Sequence, residues 1–207
     1  MTFLFYFKPE KGLVFAADTL TTDPSTGERL GYTRKIKYFN SANSPGYIIS
    51  YAGIVRDFER TFEKISEAVK ITNFPLATEI GWKSLRECIK NNWSKYGIFF
   101  TDAFYEEIVV RIDGLGLYER GQHHHEAAEI SQIDGHADFA GSVDKKLLTD
   151  QDLSKFKSGK DMNFGINACY EIIGLVEERW PDHFSGIQIV VSEDGKIWEH
   201  DYIEGNI

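Results

Sequence analysis

Thr2 has the most direct route to chemistry of any residue in this sequence. Once Met1 is removed, a terminal threonine carries its hydroxyl and a free α-amine together. An amine of pKa about 8 can take the hydroxyl proton, so one residue supplies nucleophile and base. Such a site needs a cation beside it, to keep protons off the amine and stabilise the alkoxide, and that cation needs a buried carboxylate to hold it. Asp18 and Lys35 suit these roles: Asp18 ends the strand that pairs with the one after Thr2, and Lys35 opens the next. The chain passes from Met1-Thr2 straight into a strand pattern, so no leader is expected and methionine removal alone would free the amine.

Other chemistries are poorly supported. His123, His124, His125 and Glu126 are adjacent rather than spaced four apart on a helix, and consecutive residues of an extended chain point to opposite faces, so a solvated loop is expected there. Cys88 and Cys169 have no C-x-x-C partner and sit in helical apolar patterns, which reads as free buried thiols in a reducing, cytoplasmic setting. Neither a G-x-x-x-x-G-K-[ST] loop nor a G-x-S-x-G elbow occurs. No cofactor and no metal are expected. A formal charge of -9 disfavours nucleic acid and anionic membrane as partners. No apolar run approaches the roughly 18 residues of a membrane span.

The elements that must position these residues follow from the hydrophobic pattern. Residues 2–8 and 13–17 predict a hairpin around Pro9-Glu10-Lys11-Gly12, and residues 18–33 read as polar and turn-rich. Strands are expected over 35–39 and 47–51. Phe58, Phe62, Ile65 and Val69 share one face of a helix over 57–70, and a second helix is expected over 76–96. Strand chemistry returns over 102–119, residues 122–138 read as a loop or an edge strand, and the lysine-rich stretch after Ser142 has no clear form. A helix over 162–180 and a hairpin of 186–192 with 196–202 close the chain. Two sheets with helices outside would satisfy this order within one domain, residues 1–207.

The runs GLVFAADTLTT, RKIKYF and YIISYAGIVRDFERTFEKI resemble the proteasome family of N-terminal nucleophile hydrolases, proteasome β-subunits and their bacterial relatives. Asp18 follows Thr2 by the family's interval, Lys35 falls on its catalytic lysine, and Gly53 matches the glycine whose N–H helps form the oxyanion hole. Ser142, in Phe139-Ala140-Gly141-Ser142, is similar to a supporting serine, and Asp182 through Gly186 match the D-x-x-S-G motif, so Asp182 and Ser185 inherit a role in orienting the terminus. The resemblance further implies a four-layer αββα sandwich of the α+β class. It implies a first specificity pocket lined by Thr21, Thr22, Thr33, Lys37, Tyr51 and Val55. It also implies a homo-oligomeric ring acting on peptides or unfolded protein, with any ATPase partner unspecified.

Taken singly, each residue has an ordinary reading: Asp18 as a turn aspartate, Lys35 as an exposed strand lysine, Asp182 as a loop residue and Ser142 as a helix cap. Three functions stay open: a threonine endopeptidase, an amidase or acyl transferase on the same nucleophile, and a noncatalytic ring or assembly subunit that keeps Met1.

Overall fold

The aromatic and β-branched residues that open the chain form β1 (Phe3–Lys8), which pairs with β2 (Leu13–Ala17) in a hairpin that sets Leu4 opposite Ala17 and Phe7 opposite Val14. The computed structural model describes residues 2–23, 25–39, 47–52, 106–111, 117–118, 128–129, 136–141, 148–156, 159–194 and 196–205. Every residue of β2, and of β1 up to Phe7, is buried, which requires cover on both faces of the sheet. Two separate apolar clusters supply it. Phe3, Phe5, Phe7, Val14 and Ala16 pack on one side against Ala168, Cys169, Ile172, Ile173 and Val176, while Leu4, Tyr6, Phe15 and Ala17 meet Ile36 and Ile48 on the other. A strand buried on both sides has no polar face, hence the continuous apolar runs in the sequence.

Among the described residues the strands form a five-stranded sheet, a three-stranded sheet and two two-stranded ribbons, all antiparallel. β3 (Leu20–Thr22) and β4 (Arg29–Tyr32) make a separate two-stranded ribbon. β5 (Ile36–Phe39), β6 (Tyr47–Ala52) and β7 (Glu106–Arg111) form a three-stranded sheet, and β8 (Leu117–Tyr118) pairs with β9 (Ala128–Glu129). β10 (His136–Gly141), β11 (Ile187–Glu193) and β12 (Lys196–Ile203) join the first hairpin in a five-stranded sheet of order β10-β1-β2-β11-β12. Residues 122–138, read as a loop or an edge strand, end within β10, which runs on to Gly141 and pairs with the whole of β1.

Two helices are described. α1 (Asp150–Ser154) occupies part of the lysine-rich stretch. α2 (Met162–Arg179) begins at Asp161, whose Oδ1 accepts the Phe164 N–H at 2.7 Å, and stops before Trp180-Pro181, where the residue ahead of a proline leaves helical geometry. Its apolar stripe covers the five-stranded sheet, giving a helix, sheet, sheet order of layers. The helices expected over 57–70 and 76–96, the three histidines and Cys88 lie outside the described residues. Cys169 is a free thiol in the core, and burial pushes its pKa upward, so it is chemically quiet. No helix among the described residues is long and apolar enough to cross a membrane.

The polar stretch 18–33 departs from its sequence reading, since β3 and β4 form within it. Asp23 makes this possible: its Oδ1 accepts from the Ser25 N–H and Oγ and from the Thr26 N–H, closing a turn that brings Leu20 opposite Tyr32.

Candidate active site

Asp18 follows directly on the last residue of β2 and is completely buried, and Lys35 immediately precedes β5 with 3% exposure. Lys35 Nζ donates to Asp18 Oδ2 at 2.8 Å and to the Leu20 carbonyl at 2.7 Å. The other carboxylate oxygen of Asp18 accepts the Phe3 N–H at 2.7 Å, and the Asp18 N–H returns a bond to the Phe3 carbonyl at 3.2 Å. One carboxylate therefore binds the lysine ammonium and the backbone next to Thr2. Thr2 itself is buried, 6% exposed, and directly precedes β1.

Burial drives the electrostatics of the pair. It pushes the Asp18 carboxyl up, against the Lys35 charge and the Phe3 N–H, which favour the carboxylate. It also pulls the Lys35 ammonium down, against the attraction of Asp18. A lysine in this position gives up its proton more readily than an exposed one.

Ser185 anchors the same corner from the end of the chain. Its carbonyl accepts the N–H groups of Thr19 and Leu20, both at 3.1 Å, and its Oγ donates to Glu177 Oε1 on α2 at 2.9 Å. Gly186 beside it has a φ of 71°, and a Cβ there would lie 2.2 Å from Thr19 Oγ1 and 2.6 Å from the Ile203 carbonyl. A Cβ on Gly205 would lie 1.8 Å from Ser185 Oγ. Gly186 and Gly205 are thus steric requirements of a crowded junction. Gly186→Ala is expected to cost at least about 2 kcal/mol of unfolding free energy, measured by urea titration.

The other residues singled out in the sequence are distributed as follows. Asp182 is exposed on the turn after α2. Thr21, Thr22 and Thr33 are half-buried on or beside the β3–β4 ribbon. Lys37 is half-buried between Ile36 and Tyr38, which pack into the intersheet core, so alternation places it on the opposite face of β5. Tyr51 lies on β6 with its backbone opposite Glu107. Gly53, Val55 and Ser142 lie outside the described residues. Among the described residues, Thr21 Oγ1 and Tyr32 Oη on the ribbon are buried without a hydrogen-bond partner. No group of three or more metal-ligating side chains occurs among them.

Neither a protein-family model nor a curated protein sequence matches the chain. Solved structures do match. An Anbu mutant from Hyphomicrobium sp. strain MC1 aligns with 16% identity and a TM-score of 0.70 over 100% of this chain and 87% of its own. Anbu, described as an ancestral beta-subunit, from Yersinia bercovieri aligns with 10% identity and a TM-score of 0.71 over 95% and 86%. The Anbu complex of Pseudomonas aeruginosa, solved as a helical assembly, aligns with 13% identity and a TM-score of 0.72 over 99% and 87%. The chain shares the fold of these Anbu proteins. These neighbours correct the resemblance drawn from the sequence: they are Anbu proteins, proteasome-like but a distinct family, and not members of the proteasome β-subunit family. Where they fall on described residues, the quoted runs lie on the strands and junctions that build the sheets, so they report the fold and do not separate families that share it.

Two polar residues at this corner escaped sequence reasoning. Glu177 was hidden because its role depends on α2 folding back over Ser185. Gln188 left a usable signal, since it interrupts the apolar run of a strand buried on both faces.

Proposed function

We propose that this chain is an N-terminal threonine endopeptidase on an Anbu-like fold, its whole length of residues 1–207 forming one domain. The observation that carries the reading is the double grip of Asp18, which holds Lys35 Nζ with one oxygen and the Phe3 N–H next to Thr2 with the other. A fully buried ion pair is costly to build, and a structural purpose would be served equally well by apolar side chains. Its attachment to the backbone that carries Thr2 favours a chemical purpose.

In this mechanism the Thr2 Oγ attacks a peptide carbonyl while the freed α-amine takes its proton, directly or through water. Charge developing on the carbonyl oxygen is met by the Gly53 N–H, and Lys35 stabilises the alkoxide. The amine then protonates the leaving nitrogen as the C–N bond breaks, leaving an ester on Thr2, and water attacks that ester to release the acid. Ser142, Asp182 and Ser185 orient the terminus, with Glu177 holding the Ser185 hydroxyl. Thr21, Thr22, Thr33, Lys37, Tyr51 and Val55 line the first specificity pocket. The unpartnered hydroxyls of Thr21 and Tyr32 favour a polar substrate group there. The full architecture in this reading is a four-layer αββα sandwich, and the working form is a cytoplasmic homo-oligomer.

The test is acid-quenched turnover of a fluorogenic peptide amide followed by peptide mapping. The acyl group is expected on the fragment that begins at Thr2. Its recovery on any other residue would sink the assignment.

A further inference from the structure

Gln188 is completely buried on β11, opposite Ala17 and hence one residue from Asp18. Its side chain crosses between the two sheets and treats Ile36 as a neighbouring strand would. Gln188 Oε1 accepts the Ile36 N–H at 2.8 Å, and its Nε2 donates to the Ile36 carbonyl at 3.0 Å. The second Nε2 hydrogen goes to Glu199 Oε2 at 2.9 Å. Both donors of the amide are used, and so is its acceptor, as a buried amide requires. Glu199 in turn receives a forked bond from Arg34, whose Nε lies 2.9 Å from Oε2 and whose Nη2 lies 3.0 Å from Oε1, and the Arg34 guanidinium sits 4.0 Å over the Tyr202 ring. The residues on either side of Lys35 are therefore both tied to the β11–β12 hairpin.

This arrangement answers a geometric problem. Thr2 and Asp18 adjoin strands of the five-stranded sheet, whereas Lys35 leads into β5 of the other. Apolar contacts between sheets set a spacing but tolerate sliding, because they are non-directional. Hydrogen bonds from one sheet to the backbone of the other fix position along the strand. An apolar residue at 188 would fill the space and leave the Ile36 N–H and carbonyl without these partners, at the cost of buried unsatisfied groups.

We propose that Gln188 is a positioning residue that fixes Lys35 against Asp18 and the Thr2 terminus, with Glu199 and Arg34 as its brace. Its catalytic consequence rests on the reading of Lys35 as the cation beside Thr2, but the positioning itself does not. The experiment reports on each separately. Protein labelled with ¹³C at lysine Cε is titrated by NMR, the Lys35 resonance being assigned by its absence from Lys35→Arg, and kcat and KM are measured on a fluorogenic peptide amide.

In Gln188→Leu the Lys35 midpoint is expected to move by about one unit, because both its burial and its contact with Asp18 change once the side chain is no longer held in place. The turnover number kcat is expected to fall about tenfold with KM unchanged, the mark of a group misplaced only in the reacting state. Should Gln188→Leu fail to fold, Glu199→Ala, at a partly exposed site, decides the matter with a midpoint shift of about half a unit. A folded variant whose lysine midpoint equals that of the wild type while its melting temperature drops would show a purely structural amide and overturn the proposal. A moved midpoint with unchanged kcat would support the clamp and count against Lys35 as the cation beside Thr2.

Discussion

Thr2→Ala is expected to lower peptide turnover by a factor of about 10⁵, the scale seen when a hydrolase loses its nucleophile. The substitution keeps the α-amine and removes only the hydroxyl and one methyl, so it separates the two functions that the residue combines. It also spares the surrounding structure. The contact that fixes this part of the chain to Asp18 is made by the Phe3 backbone N–H, which the substitution leaves in place. The melting temperature should therefore stay within a few degrees of the wild-type value, since loss of one methyl costs only about 1 kcal/mol. Thr2→Ser, which restores a hydroxyl, should return turnover to within about tenfold of the parent. Turnover on a fluorogenic peptide and thermal melts of the three proteins check the prediction together.

Breaking the buried ion pair is expected to produce the largest loss of stability. Asp18→Asn can still accept the Phe3 N–H through its amide oxygen, but it leaves the Lys35 ammonium without its counter-charge among buried groups. A cost of about 3–5 kcal/mol follows, because a lone buried charge has lost both its hydration and its partner. Against a typical total of about 5–15 kcal/mol, that is roughly a fifth or more of the stability of the domain. Lys35→Met should cost a similar amount by stranding the carboxylate.

The double variant Asp18→Asn, Lys35→Met distinguishes structure from chemistry. With both charges gone, at least half of the lost stability is expected to return, since neutral side chains carry no desolvation penalty of this size. Turnover is expected to stay at the floor. Urea unfolding followed by tryptophan fluorescence and peptide turnover are the two measurements. A double variant with wild-type activity would show that the pair is only scaffolding.

Much of this site is legible in the residue types alone. A terminal threonine needs a cation, the cation needs a carboxylate, and Asp18 and Lys35 stand at the ends of the right strands. What the sequence could not convey was the depth of the pair. In RKIKYF the alternation places Ile36 in the intersheet core and says nothing about Lys35, which lies just before the strand and turns instead to Asp18 and the Leu20 carbonyl. The grip of Asp18 on the Phe3 N–H was equally hidden, because backbone partners leave no mark in residue types.

The ribbon of β3 and β4 was unreadable for a related reason. Its side chains are half-buried or exposed apart from Leu20, so no apolar alternation marks it, and its register is set by Asp23 and by tertiary contact. In β11 the opposite holds: Gln188 is conspicuous in an apolar strand, yet its partner Ile36 lies 152 positions earlier in the chain, and pattern alone cannot pair them. Family assignment failed on different ground. Runs such as GLVFAADT encode a buried strand and the acid that follows it, which several families sharing the fold can hold in common.

The central claim is that the free amine of Thr2 takes part in catalysis, and the mass of the N-terminal peptide from catalytically active protein tests it most directly. The expected result is a terminus at Thr2, short by one methionine, in the fraction that turns over peptide. An active fraction whose chains all retain Met1 would contradict it, since an amide nitrogen at residue 2 cannot serve as the base.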